Sequence, residues 1–165
     1  MLVLGIDPGT ATTGYGLVRE LADGALETVA YGVITTPART PMPERLQQLY
    51  NAMTALIAEH KPDAAAIETL YFGKNVTTAI TVAQGRGVIL LALAEAGLPI
   101  REYKPAEIKQ AIAGYGNADK WQVQEMIRQL LDLDELPKPD DAADGLGVAI
   151  TDLNSSRFDR LASGS

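Results

Sequence analysis

Two short apolar runs in this chain each end on a carboxylate. LVLGID closes on Asp7 and leads into a Pro-Gly turn, and AAAIE closes on Glu68 and leads into TLYFGKN. Apolar runs this short, bounded by turn residues, read as buried strands. In open α/β sheets, ligand and catalytic sites gather at the C-terminal ends of strands. A third acidic segment, PDDAADGLG, opens a late helix, and Asp141 and Asp144 three residues apart share one of its faces. If the fold brings the three segments together, the acids repel and raise one another's pKa. A shared divalent cation relieves that repulsion, and carboxylates with water are the ligands Mg²⁺ accepts. The donor set points to metal-assisted phosphodiester chemistry. Taken singly, each acid has an ordinary reading. Asp7 suits the first position of a turn, Glu68 a strand end, and Asp141 and Asp144 a helix N-terminus. The joint pattern carries the inference.

The remaining segments set the fold class. After the first strand, TTGYGLVRE and ALETVAYGVITT flank an Ala22-Asp23-Gly24 turn, which predicts an antiparallel meander of three strands. PMPERLQQLYNAMTALIAEH is helical, with Leu46, Leu49, Met53, Leu56 and Ile57 at helical spacing. AAAIE follows as a fourth strand, then a long helix from Asn75 to Gly97, then LPIREY as a fifth strand. Gly85 and Gly87 inside the long helix each cost roughly 1 kcal/mol against alanine, so both predict close backbone contact with another element. KPAEIKQAIAG, ADKWQVQEMIRQLLDL (capped by Asp119) and DAADGLGVAITDLNSS complete the chain as helices. The order βββ-α-β-α-β-α-α-α predicts an α/β fold: a five-stranded mixed sheet, three antiparallel then two parallel strands, flanked by helices. Residues 1–155 form one domain in this reading, and 156–165 are a disordered tail.

Composition removes several chemistries. The chain has no cysteine and a single histidine, His60, at a helix end. Disulfides, Cys-based zinc sites and histidine-pair zinc sites are excluded. No charged start precedes an apolar stretch, and the longest apolar segment, VILLALAEAG, is short for a membrane span. The expectation is a cytoplasmic protein with no membrane partner. The net charge of −7 argues against a polyanionic partner as a whole. The charge is uneven, however. Four of the negatives are the paired acids above, and residues 74–128 carry seven basic against five acidic side chains.

GIDPGTATTGYG, IETLYFGKN, QGRGV, YGNADKWQVQ and DDAADGLGVAI occur here in the order seen in RuvC, the bacterial Holliday junction resolvases. The chain resembles that family over about residues 2–153. The first motif alone is unspecific; all five in order are highly specific. The resemblance implies a ribonuclease H-like fold, a homodimer and a cut in each of two opposed strands of a four-way DNA junction. It also implies a link to recombination and repair, with a branch-migration motor complex as a further partner. Asp7, Glu68, Asp141 and Asp144 match the family's catalytic and metal-binding acids. They would hold two Mg²⁺ ions per active site, with Mn²⁺ able to substitute, for in-line hydrolysis. Asp141 would hold metal or steer water. No covalent nucleophile is needed, in keeping with the absence of cysteine and of a plausible Ser-His pair.

The resemblance also assigns DNA contacts. Tyr71 and Phe72 lie in the loop after Glu68, followed by Lys74 and Asn75; a ring there would stack on an exposed base. Lys109 and Lys120 flank the GYGNAD loop and match basic positions of the family. Trp121 reads as a core residue rather than a stacking platform. Two departures stand out. The family commonly has alanine where this chain has Gly145 and Gly147, which softens the last helix or lets it sit closer to the sheet. Its loop aromatic is often phenylalanine, where this chain has Tyr71 beside Phe72.

Three other readings compete. An actin-like ATPase or sugar kinase shares the core and a similar Asp-x-Gly-Thr opening, but needs two such domains, and no GxxxxGK[ST] loop appears. A smaller ribonuclease H-like nuclease of the YqgF type would match only around the first strand. A noncatalytic junction binder has no need of all four acids.

Overall fold

A computed structural model of the chain describes residues 1–70 and 76–163. The expected order is observed: β1 (Leu2–Asp7), β2 (Thr12–Glu20), β3 (Leu26–Thr35), α1 (Met42–His60), β4 (Ala64–Glu68), α2 (Val76–Glu95), β5 (Ile100–Tyr103), α3 (Pro105–Ala113), α4 (Lys120–Leu130) and α5 (Asp140–Ser163). The sheet runs β3-β2-β1-β4-β5. β1–β2 and β2–β3 are antiparallel, while β1–β4 and β4–β5 are parallel. The β2–β3 turn closes through Gly24 at φ 87°, with Asp23 Oδ1 accepting from Ala25 N at 3.0 Å.

Side-chain alternation sorts β1 and β4 between two cores. Leu2, Leu4, Ile6, Ala65 and Ile67 join a core with α1 and α2 residues such as Leu49, Met53, Ile89 and Leu93. Val3, Ala64 and Ala66 join a core with residues of α3, α4 and α5, among them Ile108, Ile127 and Ile150. Burial on both faces is why these strands read as nearly unbroken apolar runs.

α5 is the helix that shapes the site. It packs against a patch of β1 and β2 with no side chains. Register pairs Gly5 with Gly16 and Asp7 with Gly14. A Cβ on Gly5 would stand 2.2 Å from the Gly145 carbonyl oxygen, one on Gly14 1.8 Å from that of Asp141, and one on Gly16 2.5 Å from Leu146 N. From the helix side, a Cβ on Gly145 would stand 2.6 Å from Tyr15 backbone atoms. Helix and sheet backbones therefore touch directly. Of the two outcomes expected for Gly145, close seating is the one observed. Gly147 serves a different end: a Cβ there would meet the δ-methyls of Ile112 and Ile127 at 3.0 and 3.2 Å.

Three expectations change. The last helix does not fray after Ser155 but continues to Ser163. Arg157 Nε donates to Glu20 Oε1 at 2.8 Å and Arg160 pairs with the same carboxylate, so the tail is tied back to the β2–β3 hairpin. In α2, Gly85 lies close to Gly9 and Thr10, but a Cβ on Gly87 would meet nothing within 4 Å. That position faces outward, so its glycine answers to no contact among the described residues. Finally, α2 as a whole is long and apolar enough, by length and composition, to cross a membrane, although its longest unbroken apolar run is short. Only part of this apolarity is used inside: Gly85, Ile89, Ala92 and Leu93 are its buried residues.

Candidate active site

Strand parity places the first two acids. Asp7 continues the Val3–Gly5 side of β1 and Glu68 the Ala64–Ala66 side of β4, so both emerge on the α5 face. The β1–β2 turn after Asp7 is pinned. Thr13 Oγ1 donates to the Gly9 carbonyl at 2.6 Å, Thr36 Oγ1 to the Thr10 carbonyl at 2.6 Å, and Thr10 Oγ1 to the Thr81 carbonyl on α2. The flush seating of α5 brings its first turns over the same point. Carboxylate oxygens of Asp7, Asp141 and Asp144 all lie within 4.8 Å of one another. Glu68 is hydrogen-bonded to Asp7. All four acids predicted from the sequence thus meet at one place.

Their electrostatics match their crowding. Burial, then the Glu68 carboxylate, pushes Asp7 from 3.8 up to about 8. Burial, then Asp7, pushes Asp144 up to about 6. Burial also raises Glu68. Burial and mutual repulsion thus work against full ionisation of the Asp7–Glu68 pair. An oxygen-only cluster whose carboxyls are pushed upward by burial and by one another fits a hard divalent cation, which relieves that repulsion. Asp7, Asp141 and Asp144 would supply direct ligands, with Glu68 beside them.

This arrangement has a measurable consequence. An acid whose folded value lies above its unfolded one stabilises the fold fully below the unfolded value and less as pH rises through the folded one. In metal chelator, the melting temperature should therefore fall from about pH 5 to about pH 8, across the window set by Asp144 and Asp7. The carboxylates held below their usual range, Glu20, Asp140 and Glu125, titrate beneath that window. Mg²⁺ should raise the melting temperature more at about pH 8 than at about pH 5, because binding competes with the protons. Equal Mg²⁺ shifts at both would count against a metal held by this cluster.

The two predicted lysines flank the acids. Lys109 and Lys120 line a cavity of about 210 Å³ together with Glu68 and Asp144, backed by Ile108 and Val123. Lys120 Nζ is also held 2.9 Å from Asp140 Oδ2, and Gln124 Nε2 donates to Asp140 Oδ1 at 3.2 Å. α4 starts with a reciprocal cap, Asp119 Oδ1 accepting from Gln122 N at 2.9 Å and Gln122 Oε1 from Asp119 N at 3.0 Å. That cap fixes where Lys120 begins the helix. Sequence reading missed the Asp140 tether. Its signal is the doubled acid at Asp140–Asp141, whose first member holds Lys120 while the second faces the site. Tyr71, Phe72, Lys74 and Asn75 lie outside the described residues. Trp121 is a correction: it is 63% exposed, not core, because the buried positions of α4 are Val123, Gln124 and Ile127.

A family model for the crossover junction endodeoxyribonuclease RuvC matches residues 3–152. The chain belongs to the RuvC family. It is 60% identical over 150 residues to the crossover junction endodeoxyribonuclease RuvC of Chloroflexus aurantiacus, covering 91% of each chain. The solved structure of Thermus thermophilus RuvC is 34% identical, with a TM-score of 0.90 over 96% of this chain and 97% of that one. T. thermophilus RuvC solved in complex with a Holliday junction substrate gives a TM-score of 0.88 at 31% identity, covering 96% of both chains. The mixed sheet with its flanking helices is the ribonuclease H-like fold of RuvC, as the sequence motifs implied. The acids conserve the order of those motifs, one at the end of each of two strands and two in α5.

Proposed function

We propose that this chain is a structure-specific endodeoxyribonuclease that resolves four-way DNA junctions by nicking two opposed strands, in recombination and repair in the bacterial cytoplasm. The convergence of Asp7, Asp141 and Asp144 within 4.8 Å supports it most directly. The two lysines beside that cluster supply the positive charge a phosphate backbone requires. Two Mg²⁺ ions, or Mn²⁺ in their place, would be held by Asp7, Glu68, Asp141 and Asp144. Bound there, they would acidify the attacking water and stabilise the leaving 3′ oxygen. The chain's own groups do the rest. Lys109 and Lys120 draw the strand over the acids, and Glu68, hydrogen-bonded to Asp7, holds that carboxylate in place. The deciding test is a mobile four-way junction incubated with and without Mg²⁺. Paired, symmetric nicks that need the metal are expected. Random nicks in plain duplex, or no nicks, would sink the reading.

Lys109→Ala and Lys120→Ala should each weaken junction binding and lower the slope of log affinity against log salt by roughly 0.9. An unchanged slope in both would move the DNA face elsewhere. Lys120 has a second partner in Asp140. Its loss is therefore also expected to slow cleavage at saturating protein, where loss of Lys109 shows mainly in binding.

Two cuts on opposed strands call for two sites, and a two-fold dimer supplies them at fixed spacing. The outward face of α2 suits that contact. Val76, Ile80 and Leu91 are 68%, 55% and 53% exposed and share a stripe with the exposed Ala83 and Gly87. The small residues at its middle allow close approach of a second helix. Ile89 and Leu93 of the same helix are fully buried in the chain's own core and take no part in this face. Leu91→Glu should therefore yield a folded monomer that loses paired cutting. Light scattering at micromolar protein, with circular dichroism as the check on folding, decides it. A dimer that survives Leu91→Glu places the interface elsewhere. A branch-migration motor complex completes the partners this reading proposes.

A further inference from the structure

Trp121 is the chain's single tryptophan, and it stands 63% exposed at the start of α4. A large aromatic contributes most when it is buried, and this one has left the core to Val123 and Ile127. It directly follows Lys120, which lines the cavity beside Glu68 and Asp144. One residue along a helix is a turn of about 100°, so the indole lies on the flank of the segment that carries the lysine to the cleft. Tyr115, in the connection between α3 and α4, is also 42% exposed. The α3–α4 side of the cleft therefore combines phosphate-binding charge with exposed aromatic surface. This is the pairing by which proteins hold unstacked nucleic-acid strands, the cation on the backbone and the ring on a base.

We propose that Trp121 is a base-stacking contact for a junction strand on the α3–α4 side of the active site. The proposal rests on the junction-cutting reading above and adds to it a residue that the motifs did not assign. The occupant follows from charge. The lysines beside the ring lead to a cluster of acids suited to metal, a path that suits a phosphodiester strand better than a protein surface. Unstacking a base costs least where pairing and stacking are already disturbed, and the crossover of a four-way junction is such a place. Trp121 then fixes the strand's path past Lys120 toward the acids.

Because there is one tryptophan, its emission reports on this position alone. The wild-type protein is titrated with a four-way junction made uncleavable at the crossover, and separately with linear duplex of the same sequence. Saturation with the junction should lower the emission by about half and reduce acrylamide quenching by a similar factor, with a clearly smaller change on duplex. Trp121→Ala should weaken junction binding by roughly tenfold, and Trp121→Phe should restore most of it. Acrylamide quenching that is unchanged on a junction the protein binds and cuts would overturn the stacking role while leaving the nuclease reading intact. Equal changes on junction and duplex would overturn stacking on an unstacked base. Emission that shifts with protein concentration alone would make Trp121 a contact between copies, and would also overturn it. A protein that neither binds nor cuts junctions would take down both readings together.

Discussion

Asp7→Asn is expected to bind a four-way junction and fail to cut it. Asp7 is the acid that touches every other part of the site: within 4.8 Å of Asp141 and Asp144, and hydrogen-bonded to Glu68. Loss of an outer partner of a metal ligand typically costs 10–100-fold in affinity or activity, so losing a proposed direct ligand should slow cleavage by more than about 100-fold. The lysines proposed to meet the DNA are untouched, and Asn matches the shape of an uncharged carboxyl, so affinity should hold. A second readout separates this from general damage. Asp7 is raised to about 8, so its charged form works against the fold as pH increases. In chelator at about pH 8, Asp7→Asn should therefore melt at or above the wild-type temperature, and its response to Mg²⁺ should shrink. Cleavage near the wild-type rate would show that the cluster is not the catalytic centre. A large fall in melting temperature would instead mean that Asn fails to replace the carboxyl in packing.

Gly14→Ala is expected to damage the site without touching any acid. The added Cβ would stand 1.8 Å from the Asp141 carbonyl oxygen, and this is backbone, so no side chain can swing away. Either the helix start moves or the strand does. Overpacking of this kind usually costs 1–3 kcal/mol or more. It falls on the first turn of α5, where Asp141 and Asp144 leave for the site. We expect a melting temperature lowered by several degrees and cleavage lost in greater proportion than stability. Gly87→Ala is the control for melting temperature alone, since its Cβ points away from the described core but lies on the proposed α2 contact. If Gly14→Ala cuts and melts like wild type, α5 does not need its flush seat. The comparison also separates the two late glycines. Gly145→Ala should behave like Gly14→Ala, because its Cβ would meet the Tyr15 backbone at 2.6 Å. At Gly147 only flexible isoleucine tips must give way.

Much of this was legible in the chain because local chemistry decided it. β1 and β4 announce themselves by unbroken apolar runs ending on Asp7 and Glu68. Asp119 announces the start of α4 by pairing with Gln122 three residues on. What misled the reading was side-chain direction. Trp121 looks like core from its type alone, yet the α4 face that turns inward is set by Val123 and Ile127. The segment after Ser155 looks like a tail because it is polar, yet Arg157 and Arg160 fold it onto Glu20, far away in sequence. Gly87 looks like Gly85, but the two lie on different sides of α2.

The sequence by itself determined the element order, the two-faced strands and the identity of the four acids, because periodicity and strand-end position are properties of neighbours along the chain. Only the tertiary structure decided that the acids meet. That required β1 beside β4 in register, which puts Asp7 and Glu68 on one face by parity. It also required Gly5, Gly14, Gly16 and Gly145 stacked across two strands and a helix, so that α5 can lie against the bare backbone. No single glycine reveals this: each is an ordinary small residue until the strands pair and the helix crosses them. The separation between oxygens that can share a cation is fixed by that contact. A Cβ in the seam would have to push the backbones apart, and the acids would part with them.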